Sequence, residues 1–80
     1  MTADEIDTTV LAAAKSVDGL TAARIGYLQL LRLPFGQHRF QSQIAMCELR
    51  DFIARAAGIE SLWVQNAYEA IARGMGEGAT

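Results

Sequence analysis

The sequence predicts an all-α protein, a compact four-helix orthogonal bundle with a long central third helix. Apolar residues recur at helical spacing along the chain, and no segment shows the two-residue alternation of a β-strand. Of the 80 residues, 51% are hydrophobic, 20% are charged and one is proline. Such a composition supports a buried core and argues against disorder. The length fits a single helical domain, which we place at residues 1–73.

The first two predicted helices are bounded by capping and stop signals. Thr2 and Glu5 have the spacing of a capping box, in which each side chain bonds the backbone of the other residue. Gly19, after an aspartate, is the expected end of the first helix. Thr21 is the expected N-cap of the second helix, and Pro34 prevents that helix from continuing.

Proline and glycine also delimit the second half of the chain. Residues 34–36 read Pro-Phe-Gly and predict a turn. The third helix is predicted over about residues 37–57, with Gly58 as the left-handed residue at its end. The fourth is predicted over about residues 60–73. The glycine-rich residues 74–80 are expected to form a flexible tail.

Two faces of the third helix carry apolar residues. Phe40, Ile44 and Cys47 lie on one side, and a second group that includes Leu49 and Ile53 lies on the opposite side. We interpret the helix as a central one packed on both sides by its neighbours. The alternative is that the stripe of Phe40 and Ile44 stays open for a partner or for a second copy of the chain. The predicted core comprises Ile6, Val10, Val17, Ile25, Leu28, Leu31, Leu49, Phe52, Ile53, Trp63, Val64, Ala67 and Ile71.

Charge and cysteine content restrict the location and the partners. The formal charge of −2 and the pI near 5.2 disfavour a protein held to phosphates by its overall charge. The single cysteine excludes an internal disulfide, and the acidic N-terminus does not resemble a signal peptide, so we expect a cytoplasmic protein. Six arginines against one lysine, with fourteen alanines, indicate a GC-rich bacterial or phage genome.

The chain offers little for catalysis. His38 and Cys47, the one histidine and the one cysteine, fall about 180° apart around a helix and cannot form a nucleophile–base pair. They are also too few for a zinc site, so we expect no metal and no cofactor. We interpret His38 as a solvated residue, Cys47 as a small buried hydrophobe, and Glu48 and Asp51 as part of a solvated charged face beside Arg55. An enzyme is therefore not expected, and no small-molecule substrate is evident.

Gly58-Ile59-Glu60-Ser61-Leu62 resembles the phosphopantetheine attachment site of acyl carrier proteins, in which a serine opens a helix after Gly-x-Asp. The resemblance covers five residues and has glutamate where the family usually has aspartate. Two further helices follow that serine in the family, whereas one helix and a tail remain here. We interpret Ser61 as a polar residue whose hydroxyl bonds the unpaired N–H groups of the first turn of the fourth helix.

A second segment resembles the helix-turn-helix of phage and bacterial repressors. Residues 53–59 read Ile-Ala-Arg-Ala-Ala-Gly-Ile and precede Val64, which matches the small residue, turn glycine and two apolar positions of that motif. The resemblance implies a DNA-binding dimer whose recognition helix runs from about Glu60 to Tyr68 and reads bases through Ser61, Gln65 and Asn66. The alternative for the same letters is a glycine C-cap followed by its usual apolar contact.

The predicted start of the third helix is polar and adjoins a basic stretch. Gln37, His38 and Arg39 open the helix, and no acidic residue occurs from position 19 to 47. With Arg24 and Arg32 nearby, these residues suit either an anion or a protein partner.

We expect a small intracellular interaction protein, such as an adaptor, an inhibitor or a regulatory subunit. It would bind another protein, and itself if it forms a homodimer, by occlusion or tethering. The expected contacts are Arg32, Arg39, Phe40 and Ile44, an apolar centre with an arginine-bearing rim. A helix-turn-helix regulator is the alternative, and no membrane association is expected.

Overall fold

The computed structural model describes the backbone of residues 1–34 and 40–78, and the side chains of residues 1–34 and 41–74. These residues form α1 (Ala3–Ala13), α2 (Leu20–Leu31), α3 (Phe40–Ala57) and α4 (Ser61–Gly78), with no strand among them. The predicted all-α, four-helix fold is confirmed. Every helix contacts the other three, and α3 and α4 each have 18 residues. The orthogonal arrangement of the helices stays a prediction.

The N-terminus of α1 has the predicted capping box. The Thr2 hydroxyl accepts from the Glu5 N–H, and the Glu5 carboxylate accepts from the Thr2 N–H, both at 3.1 Å. The regular helix ends at Ala13, earlier than expected, and the chain continues to Gly19 in turns, with the Ser16 and Val17 amides donating to the Ala13 carbonyl at 3.1 Å. The first helix is therefore shorter than the apolar spacing predicts.

The predicted cap of α2 is wrong. The N-cap is Gly19, which has φ +83° and makes no side-chain hydrogen bond. Glycine adopts this left-handed conformation without a steric penalty, so the helix begins at Leu20 and places that side chain fully in the core. Thr21 lies inside the first turn and is exposed.

The connection between α3 and α4 is the predicted glycine cap. Gly58 has φ +70°, its amide donates to the Arg55 carbonyl at 3.4 Å, and the Ile59 amide donates to the Ala54 carbonyl at 3.0 Å. These two bonds form a Schellman motif. Residues 35–39 lie outside the described part of the chain, so the predicted turn at 34–36 and the predicted helix start at 37 stay predictions.

Helix α4 runs from Ser61 to Gly78, whereas the sequence predicts its end near Arg73. The side chains of 75–78 and all of 79–80 are outside the described part of the chain. The flexibility expected for residues 74–80 stays a prediction.

The core follows the prediction on α1 and α3 and departs from it on α2 and α4. Ile25 and Trp63, expected in the core, are each 47% exposed. Leu20, Tyr27 and Tyr68 are buried in their place. The buried predicted residues are Ile6, Val10, Leu28, Ile53, Val64 and Ala67, and those partly buried against them are Val17, Leu31, Leu49, Phe52 and Ile71.

Both wrong assignments have the same cause. The pattern of aliphatic residues that predicts the core does not include the tyrosines, although a tyrosine ring buries as much apolar surface as an aliphatic side chain. On α2, the burial of Tyr27 turns Ile25 about 160° away from it around the helix, toward solvent. On α4, the burial of Tyr68 leaves Trp63 at the boundary between core and surface.

Candidate interaction surface

The outer face of α3 carries an apolar side chain that no neighbouring helix covers. Ile44 is 43% exposed, while Ile53, nine residues later and about 180° around the helix, is fully buried. Cys47, one turn from Ile44, is exposed, so the expectation of a buried cysteine is wrong. Ile53 belongs to the buried core, whereas Ile44 and Cys47 are not among the hydrophobic residues packed against it. We call Ile44, Cys47 and the exposed residues on the same side of the helix the outer α3 face.

Two of the four predicted contact residues can be located by their side chains. Ile44 lies on the outer α3 face, and Arg32 is the exposed C-cap residue of α2. The backbone of Phe40 begins α3, but its side chain lies outside the described part of the chain, as does all of Arg39. Phe40 and Ile44 are four residues apart, so the α3 backbone places them on one side of the helix. The contribution of the Phe40 side chain to the outer α3 face stays a prediction.

A polar network joins α3 to α4 beside this face. Arg50 donates from Nε to Asp51 at 3.0 Å and from Nη1 to Gln65 at 2.9 Å. The bond from Arg50, and then a bond from Ser61, lower the pKa of Asp51. The expected solvated charged face is thus partly organised, since Asp51 pairs with Arg50 and contacts the first turn of α4.

The three residues that would read DNA bases in a helix-turn-helix differ in whether their side chains are free to do so. The Gln65 side-chain oxygen accepts from Arg50 at 2.9 Å, so Gln65 is engaged with α3, and Ser61 acts on Asp51 of α3 by lowering its pKa. Asn66 is exposed. In contrast, the positions that pack the two helices of such a motif together are buried, as the resemblance implies. Ala54 and Val64 are buried, and Ile59 packs against the core.

A second polar cluster was not predicted. Arg24 binds Asp7 through two parallel bonds, from Nε at 2.7 Å and from Nη2 at 2.8 Å, and the Tyr68 hydroxyl donates to the same carboxylate at 2.7 Å. The cluster ties α1, α2 and α4 together. Arg24 is therefore not available to the anion site that the basic stretch suggested.

The signal for this cluster was present in the sequence. Leu20, Tyr27 and Leu28 lie at four residues before and three and four residues after Arg24, so they surround it on one side of α2, and all three are buried. An arginine in the middle of a buried face requires a carboxylate partner. Since no acidic residue lies between positions 19 and 47, that partner had to come from another helix.

Burial and hydrogen bonding act in opposite directions on Asp7. Burial raises the pKa of Asp7, but the hydrogen bonds from Arg24 and Tyr68 and the Arg24 charge lower it more, and the net pKa is below its ordinary value. The Tyr68 pKa is raised by burial and by the bond to Asp7. The carboxylate therefore stays charged, and this arrangement fits a structural link between helices better than an acid–base pair.

Several other kinds of site were sought. Among the residues that the structure describes, no group of three or more His, Cys, Asp and Glu side chains could hold a metal ion. No helix in the described part of the chain is long and apolar enough to cross a membrane. Comparison of the chain with protein-family models, with curated proteins and with solved structures finds no match.

Proposed function

We propose that this chain is a small non-enzymatic interaction protein of the bacterial or phage cytoplasm, an adaptor, inhibitor or regulatory subunit that binds another protein through the outer α3 face. The observation that carries the proposal is the exposure of Ile44, at 43%, on the side of α3 opposite the fully buried Ile53. An apolar side chain on an otherwise polar helix face is a typical anchor of a protein interface.

The basic residues of the stretch from position 19 to 47 favour an acidic partner. Arg32 lies exposed at the end of α2, Arg39 immediately precedes α3, and no acidic residue occurs from position 19 to 47. The partner we propose is a protein with an apolar pocket for Ile44 and Phe40, bordered by carboxylates. Complementary charges of this kind chiefly accelerate association and select the partner, while the apolar centre supplies most of the affinity.

The proposed mechanism is occlusion or tethering. Helices α3 and α4 are joined by a Schellman turn and by the Arg50–Gln65 hydrogen bond at 2.9 Å, and this scaffold would hold Ile44 in place for a partner. Pre-organisation of this kind lowers the entropy lost on binding.

The test replaces Ile44 and a matched residue elsewhere. A photocrosslinking side chain at position 44 identifies the partner, and its affinity for the purified 80-residue chain is then measured by calorimetry. Ile44→Asp should weaken binding by roughly 10-fold or more. Leu11→Asp, on α1, changes a side chain of similar exposure, 46%, and should leave the affinity unchanged. Equal losses in both variants, with the fold intact by circular dichroism, would contradict the proposal.

A helix-turn-helix regulator acting as a dimer is the second candidate. It is supported by the α3–α4 connection, in which Gly58 has φ +70° and Ala54 and Val64 are buried as that motif requires. Its test is anisotropy with duplex DNA of mixed sequence at two salt concentrations. DNA affinity should fall steeply with salt, and Asn66→Ala should reduce sequence preference. Salt-independent binding to a protein, with no DNA binding at low salt, would reject this candidate.

A further inference from the structure

A groove opens between α2, α3 and α4, on the side where Arg50 meets Gln65. Its volume is about 310 Å³, and both apolar and polar side chains line it. This size is at the lower end of the range for small-molecule sites. The residues that line it are Tyr27, Leu31, Gln43, Met46, Cys47, Arg50, Gln65 and Glu69.

The buried tyrosine in this groove has a hydroxyl without a partner. Tyr27 is 2% exposed, and no described residue makes a hydrogen bond to its hydroxyl. The neighbouring Tyr68, which is equally buried, donates to Asp7 at 2.7 Å. Since buried polar groups in native proteins are almost always hydrogen-bonded, the Tyr27 hydroxyl requires a partner from outside the described chain.

Tyr27 shares the groove with two charged residues, since Tyr27, Arg50 and Glu69 all line it. The groove is therefore the place where a partner for the Tyr27 hydroxyl would bind. Burial raises the pKa of Tyr27 to about 12, so its hydroxyl keeps its proton and can donate it in a hydrogen bond.

Charges of both signs line the groove, with Arg50 from α3 and Glu69 from α4. Arg50 uses Nε for Asp51 and Nη1 for Gln65, which leaves Nη2 without a hydrogen bond to any described residue. Glu69 follows Gln65 by one helical turn, so the Cβ atoms of the two residues lie about 5–6 Å apart. Glu69 likewise has no ion pair within the described ranges. Leu31 and Met46 supply apolar surface beside these charges.

We propose that this groove binds a free α-amino acid with an apolar side chain. The ammonium group would pair with Glu69, the carboxylate would accept from Arg50 and Gln65, and the side chain would lie against Leu31 and Met46. The Tyr27 hydroxyl would donate to the ligand carboxylate. An α-amino acid carries its two opposite charges on groups attached to one carbon. This matches the Arg50 guanidinium on α3, which bonds Gln65 at 2.9 Å, and the Glu69 carboxylate, which follows Gln65 by one turn of α4.

The test is a titration of the ¹⁵N-labelled 80-residue protein, followed by amide chemical shifts. The probes are L-leucine and L-methionine at concentrations up to several millimolar. We expect saturable shifts at residues around the groove. N-acetyl-L-leucine and L-leucinamide each lack one of the two charges and should bind at least about 10-fold more weakly.

Two groove variants and a matched control locate the site. Tyr27→Phe removes only the hydroxyl and should weaken L-leucine binding about 5-fold, and Glu69→Gln should weaken it about 10-fold or more. Glu48→Gln removes an exposed carboxylate of α3 that does not line the groove and should have no effect. If Tyr27→Phe does not fold, Glu69→Gln and the two blocked leucines decide the result.

Three outcomes would overturn the inference. These are the absence of saturable shifts with either amino acid, equal binding of the blocked leucines, and unchanged binding in Glu69→Gln. None of them bears on the outer α3 face, because partner binding through Ile44 is measured separately and without an amino acid present.

Discussion

Tyr27 and Tyr68 pack edge to face in the core, with ring centroids 5.9 Å apart and ring planes at 90°. Their hydroxyls differ, since Tyr68 donates to Asp7 at 2.7 Å and Tyr27 has no partner among the described residues. Removal of a hydroxyl that donates a hydrogen bond leaves its acceptor without that bond, whereas removal of a hydroxyl that has no partner leaves no acceptor unsatisfied. The two tyrosines therefore form a natural pair of test and control.

Tyr68→Phe should lower the free energy of unfolding by about 1.5–3 kcal/mol, because the Asp7 carboxylate loses a charge-assisted hydrogen bond. Tyr27→Phe should change it by no more than about 0.5 kcal/mol. Urea denaturation at pH 7 measures both variants. A larger loss for Tyr27→Phe than for Tyr68→Phe would contradict the assigned hydrogen bonds.

The stability of the fold should depend on pH through Asp7. Because its pKa is lower in the folded protein than the ordinary value of 3.8, the contribution of Asp7 is fully present above that value and is lost as the pH falls through the folded pKa. Asp7→Asn should weaken this acid-induced loss and lower stability at pH 7.

The control for Asp7→Asn is Asp18→Asn, which removes an exposed charge from the turn between α1 and α2. It should alter the unfolding free energy at pH 7 by less than about 0.5 kcal/mol. Denaturation curves recorded from pH 2 to pH 7 compare the two variants, and equal effects of the two would argue against a structural role for the Asp7 cluster.

The two threonines near helix starts should respond differently to alanine. Thr2→Ala removes the hydroxyl that accepts from the Glu5 amide at 3.1 Å and should cost about 1 kcal/mol. Thr21→Ala should cost less than about 0.5 kcal/mol, because Gly19 and not Thr21 caps α2. Thermal denaturation measures both variants. A loss of stability for Thr21→Ala as large as that for Thr2→Ala would support Thr21 as the N-cap of α2 and contradict the assignment of Gly19.

Alanine at two glycines tests the effect of backbone strain alone, because the added Cβ would meet no atom within 4 Å at either position. Gly58→Ala places a side chain at φ +70° and should cost about 1–2 kcal/mol, although no atom lies within 4 Å of the new Cβ. Gly74→Ala, inside α4 and equally open, should be neutral or stabilising by up to about 1 kcal/mol. If Gly58→Ala is as stable as Gly74→Ala, the Schellman turn between α3 and α4 is not needed for the fold.

Local signals in the sequence predicted most of the fold. The Thr2–Glu5 capping box and the Gly58 turn depend on residues within six positions of one another, and both are present. The cap of α2 was missed because a serine or threonine near a helix start is a common cap, whereas the positive φ of Gly19 becomes evident only from the backbone.

Contacts between helices were harder to predict. The bond between Asp7 and Tyr68 spans 61 positions, and no local pattern encodes it. The exposed stripe of α3 was recognisable, because Ile44 and Ile53 lie nine residues apart on opposite sides of a helix. Whether neighbours cover both sides of α3 or leave the Ile44 side open depends on how α3 packs, and the sequence left both interpretations open.

The most direct test of the proposed function is the alkylation rate of Cys47, the single cysteine of the chain, which is exposed one turn from Ile44. The rate with iodoacetamide is measured for the purified protein alone and for its non-covalent complex with the partner that photocrosslinking identifies. Both samples are first dialysed to remove small molecules. Coverage of the outer α3 face should slow alkylation at least about 10-fold, and Ile44→Asp should restore the free rate. An unchanged rate in a complex that binds with full affinity would show that the partner contacts a different surface.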